Sequence, residues 1–249
     1  MPQQLPIYRE LDFKGHASYN KNIMGYPMYD KVFFHDHFIA DADENDWVEG
    51  ASYGCTTTHS AANGGATILT LGAVLSDCGE LSHTAQWSGT KNCVMEARIH
   101  SDIITLVGIN VGWVSAAMGG DNVIAFQITG GAATLSTGPT NDGAAFVFDT
   151  AGSVDVWYCA ATKATVDGTP VAATGTRAPV ASTFQNLRVA LTKNGTNADA
   201  TFYFNGEAVG FLPSCITLGT LLTPYCAIIS RATAARVFTI DRITCWQDE

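Results

Sequence analysis

The chain has 249 residues, 13 Lys and Arg against 23 Asp and Glu, and a formal net charge of −10. That field repels a phosphate backbone, and no cluster of Lys and Arg offsets it, so nucleic-acid binding is excluded as a main role. No run of about 18 apolar residues appears, so no helical membrane span is expected.

In chain order, residues 1–33 differ from the rest of the chain. They mix Pro, Gly, Asn and Lys with Tyr8, Tyr19, Tyr26 and Tyr29, and show no helical or strand period. They read as an extended N-terminal arm that orders against its own body or a neighbouring subunit, with the four tyrosines as interface residues. The opening residues have no apolar core or cleavage pattern, so a secretion leader is not expected.

From Phe34 to Glu249 short β-branched and aromatic runs alternate with Gly, Asn, Asp, Thr and Pro clusters. "FFHDHF" and "DADENDW" come first, then "GATILTL", "NCVMEARI", "DIITLVGINVGWVS" and "NVIAFQIT". "AAFVFDT", "VDVWYCA", "FQNLRVALT", "ATFYFNGEAVGF", "CAIIS" and "VFTIDRITCW" complete the series. This spacing predicts one all-β antiparallel sandwich with few helices, its first and last strands side by side. In "FQNLRVALT", Leu187, Val189 and Leu191 share one face, and Arg188, Ala190 and Thr192 the other. Asn205-Gly206 suits a two-residue type I′ turn. That register pairs Phe204 with Glu207, Phe202 with Val209 and Ala200 with Phe211, and gathers Phe202, Phe204, Val209 and Phe211 on one apolar face.

The seven cysteines include no Cys-x-x-Cys pair, and several lie in apolar strands. They read as reduced core thiols of a protein folded in a cytoplasm.

"CVMEARI", "FQNLRVALTKNGTNADATFYFNGEAVG" and the closing "FTIDRIT" resemble the concanavalin A-like and laminin G-like jelly-roll family from about Phe34 to Trp246. The resemblance implies a jelly-roll fold shared by lectins, glucanases and phage virion proteins, and fold does not fix function. The glucanases carry a Glu-x-Asp-x-x-Glu strand whose carboxylates act as nucleophile and acid. Here Glu96 is the nearest strand carboxylate and shares parity with Arg98, which reads as a neutralised surface pair. No catalytic residue and no cofactor is therefore expected, and the chain is read as not an enzyme.

The acidic residues of "DADENDW" (Asp41 to Trp47) alternate as in calcium loops but lack the mid-loop Gly and late Glu, and read as a solvated turn. His35 and His37 point the same way on a strand, without a third ligand placed by the sequence, and read as structural. Trp113 and Trp157 lie in apolar strands and read as core. Trp47 and Trp87 have polar surroundings and are the candidates for stacking a glycan.

The arm, the missing catalytic carboxylates, the thiols and the absent leader lead to one expectation. It is a non-catalytic bacteriophage virion structural protein, a capsid decoration or cement protein, folded in the host cytoplasm. Its partners would be itself, as a homo-oligomer such as a trimer, and a viral capsid protein. The alternative is a lectin-like carbohydrate-binding module, and a glycoside hydrolase comes third.

Overall fold

A computed structural model of the chain describes residues 31–38, 47–51, 54–60, 65–116, 123–129, 134–137, 140–175 and 177–248. The tyrosines of the expected arm and the acidic turn at 41–46 lie outside the described residues.

The described strands, in chain order, begin with β1 (Lys31–Asp36), β2 (Val48–Ala51), β3 (Thr56–Ser60), β4 (Ala66–Leu71) and β5 (Cys78–Ser82). Next come β6 (Val94–Ser101), β7 (Val107–Val114), β8 (Phe126–Thr129), β9 (Thr134–Thr137), β10 (Gly143–Asp149) and β11 (Tyr158–Lys163). The series closes with β12 (Val166–Asp167), β13 (Val171–Ala172), β14 (Gln185–Asn194), β15 (Asn197–Phe204), β16 (Glu207–Thr217), β17 (Thr223–Ser230) and β18 (Arg236–Asp248). Sheet 1 runs β16-β15-β14-β6-β18-β4-β3, with β1 also on β18. Sheet 2 runs β12-β11-β10-β7-β17-β5-β2, with β13 on β11, and β8-β9 forms a separate hairpin. The two eight-stranded antiparallel sheets make the all-β jelly-roll sandwich that the strand spacing predicts. The expected pairing of first and last strands is present: Lys31 lies opposite Asp248 and Asp36 opposite Ile243.

Inward-facing alternate residues of both sheets fill the core. Leu187, Val189 and Leu191 of β14 meet Trp113, Phe146 and Trp157 from sheet 2, and all six are essentially inaccessible. The Trp113 indole N–H donates to the Val189 carbonyl at 3.1 Å, and that of Trp157 to Gln185 Oε1 at 3.2 Å, so neither buries an unmatched donor. At the sandwich edge, His59 Nε2 donates to Glu49 Oε1 at 2.6 Å and ties β3 of sheet 1 to β2 of sheet 2.

The β15–β16 hairpin turns at Asn205 and Gly206, both at positive φ (48° and 88°), as the turn chemistry predicts. Its register differs beyond the Tyr203–Ala208 pair. Phe204 faces Glu207, but Phe202 faces Gly210, Thr201 faces Phe211 and Ala200 faces Leu212. The reason is a β-bulge between Phe202 and Tyr203 that inserts one extra residue into β16 and reverses the side-chain parity after it. Phe211, expected in the core, is therefore 56% exposed on the outer face. Gly210 faces inward instead, where an added Cβ would run into the Cys159 side chain, 3.2 Å from its Cβ.

Six cysteines are buried and Cys215 is half-buried. Burial pushes the thiols of Cys55, Cys159 and Cys215 up to about 12. A group raised this far stays protonated and poorly nucleophilic in the native state. Native protein at pH 8 should thus react with a thiol-specific disulfide reagent far more slowly than denatured protein, which should yield all seven thiols. Recovery of only one thiol after denaturation would indicate three disulfides and overturn this assignment.

Candidate ligand-binding face

The two sheets differ in what covers them. Strands β5, β7, β10 and β17 of sheet 2 are buried at every position. Their outer face is capped by β8-β9 and the residues before it. Ile124, Phe126, Ile128 and Leu135 pack there on Ala145, Val147, Tyr225 and Ala227 as a second core. Buried polar side chains staple the cap. Asn110 accepts from the Phe126 N–H at 2.8 Å and donates to its carbonyl at 3.0 Å. The Tyr225 hydroxyl accepts from the Ala125 N–H at 3.1 Å, and Asp149 from the Ile128 N–H at 3.1 Å. The middle of sheet 2 consequently offers no open face.

Sheet 1 has no such cap among the described residues. Strands β6, β14 and β15 alternate between buried and half-exposed positions along the stretch where they pair. Cross-strand register then sets the outward side chains in rungs. One rung runs His35, Thr244, Glu96, Arg188 and Tyr203 across β1, β18, β6, β14 and β15. The next runs Phe33, Trp246, Val94, Ala190, Thr201 and Phe211. The rung on the other side holds Arg242, Arg98 and Asn186. A bulge at Asp241 in β18 changes its parity, so that Thr239, Arg242, Thr244 and Trp246 share the outward side, with Thr239 and Thr244 buried among their neighbours.

The charged rung is tightly organised. Arg188 grips Glu96 Oε2 through Nε at 2.7 Å and a terminal nitrogen at 2.6 Å. Such charge-assisted contacts hold both groups in place. The same guanidinium lies 5.4 Å from the Tyr203 ring centre and 5.8 Å from that of Trp246. Arg98 pairs with Asp241 at 2.8 Å and covers the Phe184 ring at 3.8 Å. His100 abuts the same ring at 4.4 Å; burial pulls its pKa down, so it is neutral at pH 7. Glu96 thus pairs across strands with Arg188, not along its own strand with Arg98 as the parity suggested. Between Trp246 and Phe211 the same rung carries Val94, Ala190 and Thr201, smaller side chains, all half-buried.

The expected stacking residues are elsewhere and buried. Trp47 is 8% exposed, its indole N–H bonded to Asp36 Oδ2 at 2.7 Å and its ring against Phe34, Phe38 and His83. Trp87 is 1% exposed and lies 5.8 Å from Trp113. Asp36 satisfies the Trp47 indole, and the Trp87 indole N–H has no partner among the described residues. Neither has a ring face open to a sugar. His35 and His37 do come together, their rings 4.4 Å apart, and His35 Nδ1 lies 2.7 Å from Thr244 Oγ1. Among the described residues no three His, Cys, Asp or Glu converge as a metal set. A cleft of about 460 Å³ opens between β11–β12 and β16, lined by Lys163, Val166, Leu212 and Cys215. Its lysine is engaged across the gap by the Ser214 carbonyl at 2.9 Å.

Arg188, Tyr203, Trp246 and Phe211 were not singled out as site residues from the sequence. The outward parity of Arg188 in "FQNLRVALT" was the available signal; the bulges that orient Trp246 and Phe211 leave no comparable mark.

No protein-family model matches the chain, and no curated protein matches it in sequence. Solved structures do share the fold. The Bacillus licheniformis β-glucanase superposes with a TM-score of 0.61 at 11% identity, covering 87% of this chain and 98% of its own. The carbohydrate recognition domain of Emp47p gives 0.57 at 15% identity, covering 90% and 100%. An endo-β-1,4-glucuronan lyase from the fungus Trichoderma reesei gives 0.55 at 8% identity, covering 85% and 94%. The fold is therefore that of the concanavalin A-like jelly-roll lectins and glucanases, and identities this low establish the fold alone. The neighbours lend no support to a virion role. They also correct the expectation that the chain is not an enzyme, because a β-glucanase and a lyase use the same frame over nearly their full length. The missing Glu-x-Asp-x-x-Glu strand removes one catalytic set and says nothing of others.

Proposed function

We propose that the protein is a lectin-like carbohydrate-binding domain whose ligand lies on the outer face of sheet 1. The carrying observation is the arrangement of Trp246 and Tyr203 on either side of Arg188, with Glu96 held by that arginine, beside the smaller side chains of the next rung. A pyranose has an apolar C–H face and a rim of hydroxyls. Aromatic rings take the first, and pre-oriented charged donors and acceptors take the second. The lectin domain among the fold's neighbours supports the reading.

A glycan array followed by titration calorimetry tests it. At least one glycan should bind, and Trp246→Ala should weaken the best of them on the order of tenfold, about 1.4 kcal/mol, with the fold intact by circular dichroism. Binding unchanged in Trp246→Ala, or no binding at all, would overturn the proposal. Incubating the bound glycan and measuring new reducing ends distinguishes a binding domain from a hydrolase on the same frame.

A further inference from the structure

Among the described residues the outward face of sheet 1 is not electrically balanced at its centre. Among the described residues three arginines, Arg98, Arg188 and Arg242, stand against two carboxylates, Glu96 and Asp241. Arg98 takes Asp241, and Arg188 takes Glu96. Arg242, whose side chain is 14% exposed, only shares Glu96 at longer range. Its closest carboxylate oxygen is Glu96 Oε1 at 3.8 Å, too long for a hydrogen bond. Its one hydrogen bond among the described residues goes to Asn186 Oδ1 at 3.2 Å, and its Nε has no partner among them. A guanidinium is always charged and offers five donors, so this one is markedly under-used.

Building on the carbohydrate-binding reading, we infer that the glycan carries an anionic substituent, a uronate carboxylate or a sulfate ester, and that Arg242 receives it. Position supports this. Arg242 and Trp246 point outward from the same strand four residues apart, roughly 13 Å along β18. A sugar ring resting on Trp246 therefore has a following ring, or its substituent, near Arg242. The net charge of −10 sharpens the choice. At physiological salt, charges more than about 8 Å apart are largely screened, so the local surplus acts on a group in contact. The overall negative field disfavours a densely charged polyanion. A sparsely charged glycan suits both conditions.

The experiment is an array containing neutral, uronate-bearing and sulfated glycans, probed with the wild-type protein, Arg242→Gln and Arg242→Lys. Wild-type binding should concentrate on the uronate or the sulfated members, and which of the two it prefers identifies the anion. Arg242→Gln should weaken the best of these on the order of tenfold. Arg242→Lys, which keeps the charge and loses the planar fork, should recover part of the loss. The wild-type affinity for the acidic glycan should also fall between about 50 and 500 mM salt, while any neutral binder is unaffected. Because this measurement needs no substitution, it stands even if Arg242→Gln folds poorly. Preferred binding of neutral glycans, or equal binding by wild type and a folded Arg242→Gln, overturns the inference and leaves the carbohydrate-binding reading intact. An array with no binding in any class overturns both.

Discussion

Replacing Arg231 with methionine should lower the free energy of unfolding by about 3–5 kcal/mol. Asp149 ends β10 on the capped side of sheet 2 and has no solvent exposure. Arg231 faces it with two nitrogens, Nε to Oδ1 at 3.0 Å and a terminal nitrogen on Oδ2. The remaining capacity of the carboxylate is taken by the N–H groups of Ile128 and Ala151 at 3.1 and 3.0 Å. The other arm of Arg231 donates to Gln127 Oε1 at 2.9 Å, so one cation joins β10 to the cap. Methionine keeps much of the packing volume but strands a buried charge, the costly way to break such a pair. Urea unfolding of Arg231→Met measures the loss. Adding Asp149→Asn removes the stranded charge, and the double variant should be less destabilised than the two single losses summed. A loss below about 1 kcal/mol in Arg231→Met would show that the pair is solvated and that the cap is not fastened through it.

Gly112→Ala should cost roughly 3 kcal/mol through crowding alone. Gly112 sits on β7 between Ala145 of β10 and Tyr225 of β17. An added methyl would lie 2.5 Å from the Ala145 Cα and against the Ala144 carbonyl oxygen. These are backbone atoms of a central strand, packed on both faces, and no flexible side chain is available to give way. The strands must separate or the β7–β10 ladder must break. A melting temperature within a degree or two of wild type would mean that the ladder relaxes far more easily than its packing implies. Gly206→Ala is a useful contrast, since nothing lies within 4 Å of its added Cβ and its penalty arises from φ alone.

The architecture was legible wherever alternation was regular. Leu187, Val189 and Leu191 announced their buried face, Asn205-Gly206 announced its turn, and the flanking apolar runs placed Trp113 and Trp157 inside. Register errors entered at the bulges. One additional residue in β16 sends Phe211 to the surface, and one at Asp241 realigns the outward side of β18, because side-chain parity has period two and a single insertion inverts every position beyond it. Trp47 and Trp87 misled for another reason. Polar neighbours in sequence normally mean solvent, yet Asp36 folds inward to meet the Trp47 indole, a pairing made across eleven residues. The candidate face was partly visible in the parity of Arg188. It could not be assembled, since its members come from five strands whose order only the fold supplies.

The cap on sheet 2 has a consequence for how such a protein can change over generations. Positions on β7, β10 and β17 face one core and the other in turn, so almost any substitution there disturbs packing on one side or the other. The outward positions of sheet 1 lie outside both hydrophobic cores, and the strands beneath them are held by Leu187, Val189 and their partners. Drift meets fewer packing constraints on the outer side of sheet 1 than on sheet 2. New specificities can be tried at Trp246 or Phe211 more freely than at Arg188, whose loss would leave the largely buried Glu96 carboxylate without its closest partner.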